Sequence, residues 1–237
     1  MLQAIDLTKR YEDDLLALDK LSLEVKEGET FCLLGANGAG KTTTINLFLN
    51  FIEPTGGQVL INGIDVAQNP LEAKKYISYV SENVMLYGNF TARQNLNYFA
   101  RLGGKRELKK EDYYMYMRNI GLTDNAFEMR VKNFSKGMRQ KLGITIAIIK
   151  DAPNILLDEP TAGLDPKAAA EFIKIISGLR DSGKSIIMCT HDIFRAREIA
   201  DRIGIMKAGR LVMSRTREEF LGDDLEQIYM DYMRETA

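Results

Sequence analysis

The chain has 237 residues, 45% hydrophobic and 27% charged, a composition that suits one large domain or one core with a smaller insertion and excludes a disordered chain. Lys and Arg number 32 against 33 Asp and Glu, for a net charge of −1, so there is no global basic field for nucleic acid. Only Cys32 and Cys189 are present and both sit in apolar runs, which excludes a disulfide framework; no apolar run nears the ~20 residues of a membrane span, and the charged opening MLQAIDLTKR is unlike a secretory signal.

In chain order, Leu2–Tyr11 and Leu18–Val25 alternate apolar and polar residues, as half-buried strands do. Thr30–Leu34 is a short apolar run ending in a Gly-rich loop, and Thr42–Leu49 reads as the helix that follows. Gln58–Asn62, between Gly56-Gly57 and Gly63, is another strand. From about 88 to 150 the period becomes helical. Thr91–Leu102 places Leu96, Phe99 and Ala100 on one face, and Glu111–Ile120 and Ser135–Ile149 are similar. The basic stretch Lys105–Lys110 is read as a solvated connector and helix start. Strands then alternate with helices: Ile155–Leu157 a buried strand, Pro166–Ser182 a helix, Ser185–Thr190 a strand, Ile193–Ala200 a helix, and a hairpin around Ala208-Gly209. This alternation predicts an α/β fold, a parallel sheet with helices on its faces, into which the helical middle block is inserted. In the tail, Leu225, Ile228, Tyr229, Tyr232 and Met233 fall at i, i+3, i+4, i+7 and i+8 and form one apolar stripe. Packing on its own domain and contact with a sister subunit both remain open for that stripe.

The chemistry begins at Gly35-Ala36-Asn37-Gly38-Ala39-Gly40-Lys41-Thr42, followed by Thr43. This is the G-x-x-x-x-G-K-[ST] phosphate loop, between an apolar strand and a helix as its function requires. Glycines let the backbone wrap a phosphate with its N–H groups inward, and the helix adds its positive N-terminal end. Lys41 can bridge the β- and γ-phosphates, and Thr42 offers a hydroxyl to Mg²⁺. A second apolar strand delivers Asp158 and Glu159 to its carboxyl end, where α/β sheets place ligands. Asp158 can hold Mg²⁺ through water, and Glu159 can polarise a water in line with the γ-phosphate. His191, the only histidine, follows a strand at the same edge and is placed to hydrogen-bond a γ-phosphate; a zinc site has no ligands to draw on.

With these elements in order, residues 1 to about 222 resemble the nucleotide-binding subunit of an ATP-binding cassette (ABC) transporter. Tyr11 falls at the aromatic position that stacks on adenine in that family. Asn133-Phe134-Ser135-Lys136-Gly137-Met138-Arg139-Gln140 resembles the family signature, Ala162-Gly163-Leu164-Asp165 the loop linking two nucleotide sites, and His191 the switch histidine. The resemblance implies a P-loop NTPase (RecA-like) α/β core with an N-terminal antiparallel β part and an inserted α-helical subdomain. It implies a single ATPase domain over 1–222, with the core at about 1–87 and 151–222 and the helical subdomain at about 88–150, and 223–237 as a C-terminal amphipathic helix.

Two departures from the common family pattern matter. The signature is usually LSGGQ, whereas here Phe134, Ser135, Lys136, Gly137 and Met138 stand; Ser135 and Gly137, the residues expected to reach a γ-phosphate, are kept. The usual loop glutamine is Glu82, which can still approach Mg²⁺ and adds charge beside Asp158 and Glu159, raising the pKa of at least one of the three. Both variants resemble the stand-alone exporter-type branch. The implied function is an ATPase that binds ATP with Mg²⁺, closes head to tail with a second nucleotide-binding subunit (identical chains rather than different ones), and drives a separate transmembrane permease subunit from the inner, cytoplasmic face of the membrane. In that arrangement Ser135 and Gly137 act on ATP held by the other subunit. No nucleic-acid partner is implied. The alternative is a non-transport ABC ATPase, for cofactor assembly or other remodelling.

Overall fold

Alternating burial makes β1 (Leu2–Arg10) and β2 (Leu16–Val25) an antiparallel pair, with Leu2, Ala4 and Leu7 of one and Leu18, Leu21 and Val25 of the other turned into the core. Every residue of β3 (Thr30–Leu34) is buried, as a strand covered on both faces requires. The Gly-rich loop after it runs into α1 (Lys41–Phe48). β4 (Gly56–Ile61) and the short β5 (Ile64–Asp65) extend the antiparallel sheet, and α2 (Pro70–Ala73) leads to β6 (Ile77–Val80). This computed structural model describes residues 1–222 and 224–234; positions 223 and 235–237, and the Met233 side chain expected on the tail's apolar stripe, lie outside the described residues.

Three helices separate β6 from the next strand. α3 (Ala92–Leu102) starts at a capping box in which Thr91 accepts from the Gln94 N–H and Gln94 accepts from the Thr91 N–H. α4 (Lys110–Asn119) follows the exposed basic connector, and α5 (Lys136–Lys150) is capped by the Ser135 hydroxyl, which accepts from the Met138 N–H. They bury a cluster of their own around Leu96, Ala100, Met117, Phe127 and Leu142. The chain then enters β7 (Asn154–Asp158), α6 (Pro166–Asp181), β8 (Ser185–Thr190), α7 (Ile193–Ile199), the hairpin of β9 (Arg202–Lys207) and β10 (Arg210–Thr216), and finally α8 (Arg217–Leu221) and α9 (Leu225–Arg234). Asp165 and Asp192 cap α6 and α7 through their carboxylates.

The strands form a four-stranded sheet in the order β2-β1-β4-β5 and a six-stranded sheet in the order β10-β9-β3-β8-β7-β6. The first is antiparallel; the second is parallel except for its edge strand β10. This is the α/β P-loop core with an antiparallel N-terminal part and a helical insertion. One core fills the space between the two sheets and around α1, and a second lies on the opposite face of the larger sheet under α6, α7 and α8. Cys32 belongs to the second core and Cys189 to the first; both thiols are buried and unpaired, and burial pushes both up in pKa.

Several boundaries differ from the pattern in the sequence. β2 begins at Leu16 instead of Leu18 and β4 at Gly56 instead of Gln58, because backbone pairing with β1 continues through residues whose side chains do not alternate. β6, which the periodicity does not reveal, is four residues long and exists by pairing with β7. Phe99 is only partly buried: it leaves the helical core and packs on Tyr87 and Tyr98, with centroids 6.1 and 5.3 Å away. Among the described residues no helix is long and apolar enough to cross a membrane.

The tail stripe packs on its own domain. Leu225 is fully buried in the second core, with Ile228, Tyr229 and Tyr232 against it, and Lys207 Nζ donates to the Tyr232 carbonyl. Leu225→Ala should therefore lower the stability of the isolated chain by about 2–5 kcal/mol in urea unfolding, the range for a buried Leu truncation. An unchanged midpoint at unchanged slope would mean that the domain does not hold α9.

Candidate nucleotide site

Four parallel strands end at one edge of the larger sheet, and each is followed by a residue singled out above. The loop after β3 carries 35–42, β7 ends in Asp158, and His191 and Glu82 follow β8 and β6. Between them and the start of β2 lies a cleft of about 570 Å³. Its walls include Tyr11, Asn37, Gly38, Gly40, Lys41, Thr42, Thr43, Glu82, Asp158 and Glu159.

The loop geometry explains its glycines. Gly38 has φ 81° and Gly40 φ 106°, which L side chains rarely adopt. A Cβ on Gly40 would also meet the Ala17 carbonyl at 2.7 Å. Among the described residues the N–H groups of Asn37, Gly38 and Gly40 donate to no protein backbone acceptor, so they remain available to an anion, together with the free first-turn N–H groups of α1. Lys41 is 6% exposed. Its ammonium donates to the carbonyls of Gly35 at 2.6 Å and Ala36 at 3.1 Å and lies 3.9 Å from Glu159 Oε1. Gly35 and Ala39 do not line the cleft. Gly35 contributes that carbonyl, and Ala39 ties the loop by donating to the Ala36 carbonyl and accepting from the Gly209 N–H.

Glu159 Oε1 is also 2.9 Å from His191 Nδ1. With the Nδ1 proton directed to that carboxylate, Nε2 is the nitrogen left for a ligand. Glu159 itself has φ 46°, a left-handed conformation held by its N–H donating to the Cys189 carbonyl at 2.9 Å. Thr42 Oγ1 donates to Asp158 Oδ2 at 3.3 Å, while Asp158 Oδ1 is buried with no hydrogen-bond partner. A hydroxyl beside a carboxylate with one orphaned oxygen fits a hard cation completed by water and phosphate oxygens. Among the described residues no group of three or more His, Cys, Asp or Glu could hold a metal alone. The Asp158 carboxyl is pushed up in pKa, first by burial and then by the neighbouring Glu159, with Glu82 adding a smaller push.

The structure does not bring every expected residue to this cleft. Ser135 and Gly137 stand at the start of α5, outside the cleft walls, with Ser135 exposed. Tyr11 lies on the cleft wall after β1, with Lys9 Nζ 5.2 Å from its ring centroid. Glu82 is on the wall, yet its carboxylate meets Lys136 Nζ at 3.3 Å. Leu15, Leu16, Ala17 and Ala208 complete the apolar side of the cleft; they escape a motif search, and two of them, Leu16 and Ala17, lie in the early start of β2.

Residues 18–162 match the family described as ABC transporter. The chain belongs to that family. It is 33% identical to the ABC transporter ATP-binding protein NatA of Bacillus subtilis, over 97% of this chain and 97% of that protein. It is 32% identical to the probable multidrug ABC transporter ATP-binding protein YbhF of Escherichia coli over 92% of its length, and spans 38% of YbhF. The fold superimposes with a TM-score of 0.82 on a dimeric post-hydrolysis state of the ATP-binding cassette MJ0796 bound to ADP and Pi, at 27% identity over 92% of this chain and 99% of that one. The chain is thus an ABC nucleotide-binding ATPase cassette.

The raised pKa of Asp158 has a consequence for stability. Its ionised form disfavours the native state, so that cost is absent below the ordinary Asp pKa and complete above the raised native value. In EDTA and without nucleotide, Asp158→Asn should melt above the wild type near neutral pH. The advantage should shrink as pH falls through that window and vanish in acid. Equal melting temperatures at neutral pH would mean that the cleft does not strain this carboxylate.

Proposed function

We propose that this chain is the ATP-binding and ATP-hydrolysing subunit of an ABC transporter, closing head to tail with a second copy around two ATP and driving a separate membrane subunit in export. The observation that carries the reading is the meeting of Lys41, Thr42, Asp158, Glu159 and His191 at one sheet edge beside the phosphate loop. In this reading 1–222 is a single ATPase domain, with residues of about 88–150 as its helical subdomain. Pairing of cassettes is supported by the dimeric MJ0796 structure, and export by the signature variant and the multidrug description of YbhF. The chain works at the cytoplasmic face of a membrane through its partner.

In this reading each residue has a role that the geometry supports. The loop N–H groups and Lys41 bind the phosphates, with the ammonium exchanging its carbonyl partners for phosphate oxygens. Tyr11, on the wall, stacks on the base. Thr42 and Asp158 would hold Mg²⁺, which would supply charge neutralisation at the β- and γ-phosphates. Glu159 accepts a proton from the attacking water, and His191, oriented by Glu159, donates or accepts at the γ-phosphate. Ser135 and Gly137, outside their own cleft, face the ATP of the partner, so the site is complete only in an isologous pair.

Lys41→Ala should weaken ATP binding as well as turnover; unchanged affinity in calorimetry would remove the phosphate-loop assignment. Glu159→Gln should slow hydrolysis by ~10²–10⁴, the loss of a positioned base, while retaining ATP. This variant should run as a dimer with ATP and a monomer without it in size exclusion with light scattering, and adding Ser135→Arg should abolish the dimer. Wild-type turnover, or no ATP-dependent dimer, would sink the base assignment and the head-to-tail closure.

A further inference from the structure

Two of the residues that depart from the common family pattern, Glu82 and Lys136, touch. They are separated by 54 positions in the chain and joined at 3.3 Å between Lys136 Nζ and Glu82 Oε1. Lys136 and Gln140 lie four residues apart on α5, hence on one face of the helix, and that face meets the loop after β6. Gln140 is 1% exposed, and its Nε2 donates to the Ser81 carbonyl at 3.2 Å and the Glu82 carbonyl at 2.6 Å. The backbone of the loop is therefore pinned to α5 by a buried amide, and only the Glu82 side chain is left to choose a direction. A Cβ on Gly163 would come within 3.2 Å of Lys136 Nζ. The ammonium thus stands where the loop after β6, the start of α5 and the 162–165 loop meet.

Glu82 also lines the cleft that holds Lys41, Thr42 and Asp158. A neutral residue there needs no counter-ion; a carboxylate beside Asp158 and Glu159 does. We propose that Lys136 is a positioning residue that holds the Glu82 carboxylate against α5 and so keeps a third negative charge from turning toward the phosphates. Both side chains are partly exposed, at 37% and 46%, so the pair is weak enough to open and close while the Gln140 bonds persist. It rests on the reading of the cleft as an ATP site, and it makes Lys136 and Glu82 one unit: each charge is tolerated because the other is present.

The test is a double-mutant cycle on the full chain, read as ATP affinity in EDTA for the wild type, Lys136→Met, Glu82→Gln and the double variant. Lys136→Met should weaken ATP binding roughly three- to tenfold, as expected for one freed charge a few ångströms from a phosphate in a partly solvated cleft. Glu82→Gln should restore that loss in the Lys136→Met background and have a smaller effect in the wild-type background. Equal effects of Glu82→Gln in both backgrounds, or no loss in Lys136→Met, would overturn the proposal, since independent charges and a purely structural Lys136 give those results. A second reading needs no nucleotide. The carboxyl ¹³C shift of Glu82 should move in Lys136→Met, while amide exchange at 81–84 keeps the wild-type rate because the Gln140 bonds hold the backbone. An unmoved carboxyl shift would also overturn the pair. A wild type that binds no ATP would instead refute the nucleotide reading of the cleft, while the carboxyl shift would still decide the pair.

Discussion

Parallel strands leave all their carboxyl ends on one edge of a sheet, and every polar feature of this cleft follows from that constraint. β3, β8, β7 and β6 are neighbours in the sheet although they are drawn from positions spread between Thr30 and Thr190. Their hydrogen-bonded register brings Asp158 beside Cys189 and Leu34 beside Thr190. Loops leaving adjacent strands 4.7–4.9 Å apart must place their first side chains within contact distance. Glu159 is where this is most visible. Its N–H is held by the Cys189 carbonyl, and one of its oxygens lies between Lys41 and His191. A single carboxylate thus ties the ends of three strands together.

The electrostatics of the cleft are arranged for an anion and a cation that arrive together. Lys41 is buried and satisfied by carbonyls of its own loop, which are dipoles that a phosphate can replace. Among the described residues the N–H groups of Asn37, Gly38 and Gly40 donate to no protein backbone acceptor, and Asp158 keeps an unpaired buried oxygen. Each of these is unfavourable in isolation, as is the left-handed backbone of Glu159. They persist because the two cores on either face of the sheet over-determine the strand ends. The ABC family membership supplies the ligand these groups are shaped for.

The helical insertion has its own apolar cluster, yet α5 also joins the second core of the larger sheet through Ile144 and Ala147 and meets the loop after β6 through Gln140 and Lys136. Movement of α5 therefore moves the loop that carries Glu82. The capped start of α5, with Ser135 exposed, is presented outward. One helix thus runs from the loop beside the chain's own cleft to an exposed, capped start.

The phosphate loop, the Asp158-Glu159 strand end and the strand-end position of His191 are legible in the sequence because each is contiguous. Local patterns set them: an apolar run of five residues, a glycine at a forced backbone conformation, a charge at a strand end. The α/β alternation and the helical insertion were readable for the same reason, since the 2-residue and 3.6-residue periods report which face is buried. Strand order, the four-residue β6 and the early start of β2 were decided only by tertiary structure, because pairing energy comes from a partner strand and leaves no period in the strand itself. The tail stripe was readable as a helix, whereas its packing on its own core depended on where α8 delivers it. The Glu82–Lys136 contact belongs to the same class. The sequence showed two unrelated departures 54 residues apart, and only the fold, by laying α5 across the end of β6, made them a pair.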